Sequence, residues 1–124
     1  MNKTKTFSNQ KQELPGDEYK MKPLPEIIRD NYKGSDKLKG KVAFISGGDS
    51  GIGRSVAVHF AREGADIAIA YLEEDKDAKE TKKLIEEEGQ RCLILKTDLS
   101  NPENCKDAIE KCIKEFSTIN VLVN

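Results

Sequence analysis

KVAFISGGDSGIG, residues 41–53, is the most informative part of the 124-residue sequence. Residues 42–45 form a continuous apolar run of the length expected for a strand buried on both faces of a parallel sheet. Four glycines follow within seven residues (Gly47, Gly48, Gly51 and Gly53), as where a backbone turns sharply or approaches a ligand closely. Apolar residues then recur at helical spacing, so the N–H groups of a helix N-terminus should point into the glycine loop. The stretch predicts a strand, an anion-binding loop and a helix.

Strand and helix patterns alternate through the rest of the chain. The apolar runs predict strands over residues 42–45, 66–71, 91–97 and 120–124. The glycine-loop helix is expected to end near Glu63, with Gly64 as its left-handed C-terminal residue. A charged helix is expected over residues 75–88, with Gly89 ending it. Ser100 and Glu103 resemble a capping box that opens a third helix. The inner face of that helix is predicted to contain Cys105, Ala108, Ile109, Cys112, Ile113 and Phe116.

The order β-α-β-α-β-α-β predicts an α/β fold with a doubly wound parallel sheet and right-handed crossovers. Ligands of such sheets bind beyond the carboxyl ends of the strands, where the strand order reverses. The residues predicted to lie at those ends are Gly47 to Gly53, Tyr71 to Glu73, Asp98, Leu99 and Asn124.

Several kinds of site could use the glycine loop. The phosphate loop of nucleotide triphosphatases has a related spacing, but Arg54 stands where that loop needs lysine. A methyl-donor site would be expected to have an acid at the end of the second strand, where Tyr71 stands. A structural turn without a ligand is a third alternative, although four glycines cost folding entropy. A dinucleotide is favoured over all three.

Read as Gly47-x-x-x-Gly51-Ile52-Gly53, the loop resembles the T-G-x-x-x-G-[IL]-G motif of the short-chain dehydrogenases/reductases, with Ser46 in place of threonine. Asp98 and Leu99 follow the third strand, where this family contacts adenine. The segment INVLVN, residues 119–124, resembles the strand that enters the family's Asn-Asn-Ala-Gly motif. The resemblance covers about residues 38–124, and the polar N-terminus resembles that of a bacterial branch similar to glucose dehydrogenases.

The resemblance implies a Rossmann-type domain, of which this chain would contain strands 1–4 of seven in the order 3-2-1-4. It implies an NAD(P)-dependent oxidoreductase that moves a hydride between the nicotinamide and an alcohol, sugar or carbonyl substrate, and a homotetramer for a full-length form. The implied cofactor-binding residues are Gly47, Asp49, Ser50, Gly51, Ile52, Gly53, Tyr71, Leu72, Asp98, Leu99 and Asn124.

The family's catalytic residues have no counterpart in this sequence. A tyrosine followed four residues later by lysine is required, and no such pair exists. The three tyrosines and the residues four positions on are Tyr19 with Pro23, Tyr32 with Asp36, and Tyr71 with Asp75. We therefore expect the cofactor-binding half of such an enzyme, truncated at strand 4. The alternative is a non-catalytic remnant or nucleotide-binding module.

NAD is the expected cofactor rather than NADP. An acid at the end of the second strand commonly holds the ribose 2′-OH of NAD, and a basic residue binds the 2′-phosphate of NADP. Tyr71 and Leu72 satisfy neither rule, and Ser50 occupies a position that is often basic in NADP enzymes of the family. The carboxylates of Glu73 and Glu74 should repel a phosphate, which favours NAD.

Residues 1–37 are polar, contain three of the four prolines and are predicted to form an arm beside the domain of residues 38–124. The segment 24–32 could dock as one helical turn, with Ile27 and Ile28 on the domain, or the arm could reach a neighbouring subunit. An apolar signal core and an apolar run of roughly 18 residues are both missing, so we expect a cytoplasmic protein without membrane contact.

The formal net charge of −1, with acids and lysines interspersed, gives no basic surface for nucleic acid. Three cysteines without a framework spacing fit a reducing compartment. No metal site is expected, because Cys-x-x-Cys is absent and His59 is the only histidine. His59 lies two helical turns from the loop and is interpreted as a structural residue.

Overall fold

The computed structural model describes residues 9–11, 18–20 and 23–124. Its strands and helices alternate as predicted, with boundaries that differ from the sequence-based ones by one or two residues. The elements are a 3-10 helix (Glu18–Lys20), β1 (Val42–Ser46), α1 (Gly51–Arg62), β2 (Asp66–Tyr71), α2 (Asp75–Glu87), β3 (Cys92–Lys96), α3 (Pro102–Phe116) and β4 (Val121–Val123).

The four strands form one parallel sheet in the order β3-β2-β1-β4, which confirms the predicted topology. In the register, Ser46 at the end of β1 stands opposite Ala70 of β2, and Tyr71 stands opposite Lys96 of β3. Ile45 of β1 stands opposite Val123 of β4. All four strands therefore end at the same edge, and the order reverses between β1 and β4.

Helices cover the sheet on both faces because alternate residues of each strand point to opposite sides. Ala43 and Ile45 of β1 belong to the core that includes Ala57 of α1 and Ile85 of α2. On the other face, Phe44 packs in a second core under α3. Residues 42–45 of β1 and 67–71 of β2 are therefore buried at every position, as their apolar sequences predict.

The caps of the helices agree with the predictions at two C-termini and differ at one N-terminus. Gly64 and Gly89 follow α1 and α2 with φ values of 98° and 86°, the left-handed conformation that glycine tolerates. The predicted capping box of Ser100 is wrong. Asn101 caps α3 by accepting a hydrogen bond from the Glu103 N–H, because Ser100 is already bonded to the Asp98 carboxylate.

The inner face of α3 is narrower than predicted. Ala108, Cys112 and Phe116 are buried, whereas the side chain of Ile113 is 47% exposed. Only one helix packs on this face of the sheet in the described residues, so Ile113 has no neighbour to cover it. None of the helices in the described ranges is long and apolar enough to cross a membrane.

The segment 23–40 lies along α1 and does not form the helical turn expected within residues 24–32. It contains a single hydrogen-bonded turn in that range, closed by the Tyr32 N–H and the Arg29 carbonyl. Ile27 and Ile28 are half-buried, and the Ser55 hydroxyl of α1 donates to the Ile27 carbonyl. The prediction of an arm for residues 1–8, 12–17 and 21–22 falls outside the described residues.

Glu63, at the C-terminus of α1, anchors this segment. Its carboxylate accepts hydrogen bonds from the Tyr32 hydroxyl and the Ser35 N–H, both at 2.6 Å, and it pairs with Lys37 at 3.2 Å. Its backbone carbonyl accepts from the Leu38 N–H at 2.8 Å. The Tyr32 and Ser35 bonds, more than the Lys37 charge, lower the pKa of Glu63 from 4.5 to about 2.

We expect the Glu63→Gln variant to have a lower Tm than the unchanged chain at neutral pH. A carboxyl whose pKa is lowered by folding stabilises the fold above its unfolded pKa and loses that contribution as the pH falls. The difference in Tm between the two proteins should therefore shrink as the pH falls from 4.5 to about 2. Circular dichroism melts across this range measure it.

The matched control is Glu110→Gln, which changes an exposed carboxylate on α3. It should leave the pH dependence of Tm unchanged. A Tm difference for Glu63→Gln that stays constant from neutral pH to the acid range would contradict this role of the Glu63 charge.

Candidate functional site

The carboxyl edge of the sheet brings the predicted site residues together. The loops that follow the strands stand side by side in the order of the sheet, so the loop after β1 lies between the loop after β2 and the end of β4. Asn124 therefore stands next to the glycine loop, across the point where the strand order reverses. This is where an open parallel sheet binds its ligands.

Two glycines of the loop are required by close packing. A Cβ on Gly53 would lie 2.2 Å from the carbonyl oxygen of Gly47, and a Cβ on Gly48 would lie 2.9 Å from the Ile69 side chain. Neither distance is possible for real atoms, so a larger residue would push α1 away from β1 or the loop away from β2. These two glycines determine how closely the loop folds onto the sheet.

Gly47 and Gly51 serve a different purpose. Their φ values are 70° and 58°, and a Cβ on either would meet no heavy atom within 4 Å. They therefore provide the left-handed turns of the loop and leave its outer side open. At Gly47 and Gly51 the loop thus presents backbone on its open side.

The N-terminus of α1 opens directly onto the glycine loop. Ser50 is its N-cap residue, with an extended backbone, and its side chain makes no capping hydrogen bond. The first N–H groups of a helix have no partner within the helix, and the helix dipole adds positive potential there. No acidic residue occupies the first turn. The predicted residue Ile52 is 85% exposed beside this terminus.

A buried arginine supports the loop from below. Arg54 is only 8% exposed, and its guanidinium donates to the Asp49 carbonyl through Nε (3.0 Å) and Nη2 (2.7 Å). It also donates to the Thr81 hydroxyl at 2.8 Å and the Asp77 carbonyl at 2.9 Å, both in α2.

Burial, more than any neighbouring charge, raises the pKa of the Asp49 carboxyl.

The end of β2 carries a small polar network. The Tyr71 hydroxyl donates to Asp75 at 2.9 Å, and Lys96 of β3 pairs with the same carboxylate at 3.3 Å. The Tyr71 bond and then the Lys96 bond lower the pKa of Asp75. Leu72 is 56% exposed next to this network. Lys96 is therefore paired with a carboxylate at the end of β2.

Asp98 and Leu99 lie after β3, as predicted. The Asp98 carboxylate accepts from the Ser100 hydroxyl at 2.7 Å and the Ser100 N–H at 2.9 Å, and these bonds lower its pKa. Both bonds use the same oxygen, Oδ1, so Oδ2 remains for a further donor. Leu99 packs on the core under α3.

Sequence reasoning missed the network of Arg54, Asp77 and Thr81. It weighed Arg54 only as a poor substitute for a phosphate-binding lysine. A signal was present in α2, where Asp77 and Thr81 lie with Ala78 and Ile85 on the buried face. Polar residues on the buried side of a helix need partners there, and Arg54 supplies them.

His59, Cys92 and Cys112 are kept out of the site. The His59 ring packs edge-on against Tyr32, with Nδ1 2.6 Å from the Ser55 carbonyl, on the side of α1 that faces segment 23–40. Burial raises the pKa of the Cys92 thiol to about 12 and that of Cys112 to about 11. Both thiols stay protonated at neutral pH and are poor nucleophiles.

The geometry fits a dinucleotide. The open glycine loop and a helix N-terminus that the Ser50 side chain does not cap suit a pyrophosphate. Exposed Leu72 and Oδ2 of Asp98 lie at the same edge of the sheet, in the direction in which an adenosine would extend.

Comparison with known sequences agrees with this geometry. Residues 41–124 match the family model described as short chain dehydrogenase. General stress protein 39 of Bacillus subtilis is 54% identical over 110 residues, which are 89% of this chain and 38% of that protein. Glucose and ribitol dehydrogenase homolog 2 of Arabidopsis thaliana is 47% identical, over 95% of this chain and 43% of that protein.

Solved structures give the same result. A short chain dehydrogenase from Burkholderia cenocepacia in complex with NADP is 33% identical with a TM-score of 0.69, over 71% of this chain and 36% of that one. Carveol dehydrogenase from Mycobacterium avium in complex with NAD is 31% identical with a TM-score of 0.65, over 69% and 35%. The chain spans about two fifths of the length of the curated relatives it matches. With the glycine loop, sheet order and family match in agreement over residues 41–124, the chain belongs to the short-chain dehydrogenase/reductase family.

Proposed function

We propose that residues 41–124 bind the pyrophosphate and adenosine of a nicotinamide dinucleotide. The observation that carries the proposal is the glycine loop, which is open on its outer side and ends at a helix N-terminus that has no side-chain cap. The proposed contacts are made by Gly47, Asp49, Ser50, Gly51, Ile52 and Gly53 to the pyrophosphate and its neighbourhood, by Tyr71 and Leu72 to the ribose, by Asp98 and Leu99 to adenine, and by Asn124 near the switch point.

NAD is the proposed cofactor. Glu73 and Glu74 are exposed directly after Leu72, where a 2′-phosphate would lie, and their charges oppose it. Lys96 could attract a phosphate, but it is paired with Asp75. Structural relatives include complexes with NADP and with NAD, so the proposal depends on these side chains and not on the family.

For a full-length form that contains this chain, we propose hydride transfer between the nicotinamide and a hydroxyl or carbonyl substrate. The related glucose and ribitol dehydrogenase homolog supports a polyol or sugar as the substrate class. These 124 residues contain no Tyr-x-x-x-Lys, so the proposed role of the chain by itself is binding, as in the alternative of a nucleotide-binding module. A cytoplasmic location is also proposed, since all three cysteines are free.

The Gly53→Ala variant should bind NAD at least about tenfold more weakly, a loss of about 1.4 kcal/mol. Its Cβ would lie 2.2 Å from the Gly47 carbonyl oxygen, so the loop and the helix N-terminus must separate. Isothermal titration calorimetry measures the affinity. Gly89→Ala is the control, because it also introduces a Cβ, at a φ of 86°, but beyond α2 and away from the loop.

Gly89→Ala should lose about 1 kcal/mol of stability through its left-handed backbone and keep its NAD affinity. Equal NAD affinities of Gly53→Ala and the unchanged chain would contradict the proposed site. Equal losses in the two variants would show that stability, and not loop geometry, governs binding.

NAD should bind more tightly than NADP. Replacing Glu73 and Glu74 together by glutamine should improve NADP binding and leave NAD binding unchanged, because only NADP brings a phosphate to this position. Glu110→Gln on α3 is the charge-matched control and should change neither affinity. Tighter NADP binding by the unchanged chain would reverse the proposed preference.

The 124-residue chain should bind dinucleotide without turning it over. Incubated with NAD or NADP and a panel of alcohols and sugars, it should produce no absorbance of reduced nicotinamide. The physical reason is that no tyrosine of this sequence has the lysine that lowers its pKa for proton transfer. Turnover by these residues alone would require a different catalytic set and would contradict the assignment.

A further inference from the structure

The Asp49 carbonyl is held by buried side chains of α1 and α2. It accepts hydrogen bonds from Arg54 Nε and Nη2 at 3.0 and 2.7 Å, and the Thr81 hydroxyl lies 3.0 Å from it. Thr81 is fully buried and Arg54 is 8% exposed. A carbonyl at the tip of an otherwise open loop is thus turned inward, towards the interface of α1 and α2.

The inward carbonyl fixes the direction of a backbone donor. In a trans peptide the C=O of one residue and the N–H of the next point in opposite directions. Because the Asp49 oxygen points into the protein, the Ser50 N–H points out of it, towards the open side of the loop. A rotation of this peptide unit would reverse the two and present a carbonyl oxygen to the ligand.

Such a rotation would be costly for an anion site. An outward carbonyl would repel a pyrophosphate, whereas an outward N–H donates to it. The glycines on both sides of Asp49 and Ser50 give the loop backbone the freedom to rotate. Something other than the backbone itself must therefore hold the peptide in the binding orientation.

We infer that Arg54 and Thr81 are positioning residues for dinucleotide binding: by holding the Asp49 carbonyl inward, they aim the Ser50 N–H at the pyrophosphate. The inference rests on the proposed function for the identity of the ligand. It assigns part of the binding site to α2, since Thr81 and the Asp77 carbonyl, which accepts from Arg54 at 2.9 Å, both belong to that helix. Arg54 itself contacts no ligand in this arrangement.

The guanidinium is suited to this task for a geometric reason. Its planar fork reaches the loop carbonyl and the α2 groups at the same time, which the single ammonium of lysine cannot do. The Asp77 carboxylate, 3.7 Å from Nη2, balances the buried charge. Arg54→Lys should therefore keep the positive charge and lose the simultaneous hydrogen bonds to the Asp49 carbonyl and to α2.

Three variants of the 124-residue chain test the inference. Arg54→Lys removes the fork, Thr81→Val removes only the hydroxyl at nearly constant volume, and Thr81→Ser keeps the hydroxyl but loses a buried methyl group. NAD binding should weaken about tenfold in Arg54→Lys and roughly threefold in Thr81→Val, the effect of about one lost hydrogen bond. Thr81→Ser should bind as the unchanged chain does, although the lost methyl lowers its Tm.

Two further measurements separate positioning from stability. Adenosine, which lacks the pyrophosphate, should bind all four proteins equally. In the unliganded proteins, residual dipolar couplings of the Ser50 amide report the direction of its N–H. This direction should change in Arg54→Lys and Thr81→Val and stay unchanged in Thr81→Ser.

Affinities that follow Tm across the variants, with Thr81→Ser weaker than Thr81→Val, would overturn the inference, and so would an unchanged Ser50 N–H direction in both Arg54→Lys and Thr81→Val. If Arg54→Lys does not fold, the two Thr81 variants decide alone. Failure of the unchanged chain to bind NAD would contradict the proposed function, and the Ser50 couplings would then still decide whether Arg54 and Thr81 orient the peptide.

Discussion

The contact between Gly53 and the Gly47 carbonyl is the constraint on which the rest of this structure depends. It joins the end of β1 to the first turn of α1 at a distance that allows no side chain, since a Cβ on Gly53 would lie 2.2 Å from that oxygen. The first turn of α1 is thereby placed directly over the carboxyl edge of the sheet. Its N–H groups consequently lie at the same edge of the sheet as the loops after β2 and β3.

Polar groups, and not only apolar burial, hold the glycine loop, α2 and the segment before β1 against α1. Glu63 is 4% exposed, and its carboxylate accepts hydrogen bonds from three donors in the segment before β1. The donors are the Tyr32 hydroxyl, the Ser35 N–H and the Lys37 ammonium. Arg54 does the same between α1, α2 and the loop. A buried charge is tolerated only when it is paired and hydrogen-bonded. Each of these two residues therefore specifies one arrangement of its neighbours and would penalise a displaced one.

The two ends of α1 consequently have different roles. At its C-terminus, Glu63 holds a segment that precedes the sheet, while at its N-terminus Arg54 sets the shape of the loop. The same helix also packs Ala57 and Ala61 in one core with Ile45 of β1 and Ile67 of β2. Small residues on the inner face let the helix lie close to the sheet, and this closeness lets the loop glycines meet.

The sequence by itself determined the order of the elements, the parallel sheet and the position of the binding edge. These follow from local signals: apolar runs of strand length, helical spacing and glycines at Gly47–Gly53, Gly64 and Gly89. The predicted cap of α3 is wrong by one residue, because Ser100 and Asn101 are both good capping residues. Only the fold shows that the Ser100 hydroxyl is hydrogen-bonded to the Asp98 carboxylate, which leaves Asn101 as the cap. The exposure of Ile113 also depends on which helices share its face. Only the tertiary structure decided that Arg54 of α1, Thr81 of α2 and the Asp49 carbonyl meet, since a buried hydrogen-bond network joins residues 27 positions apart and leaves no periodic pattern along the chain.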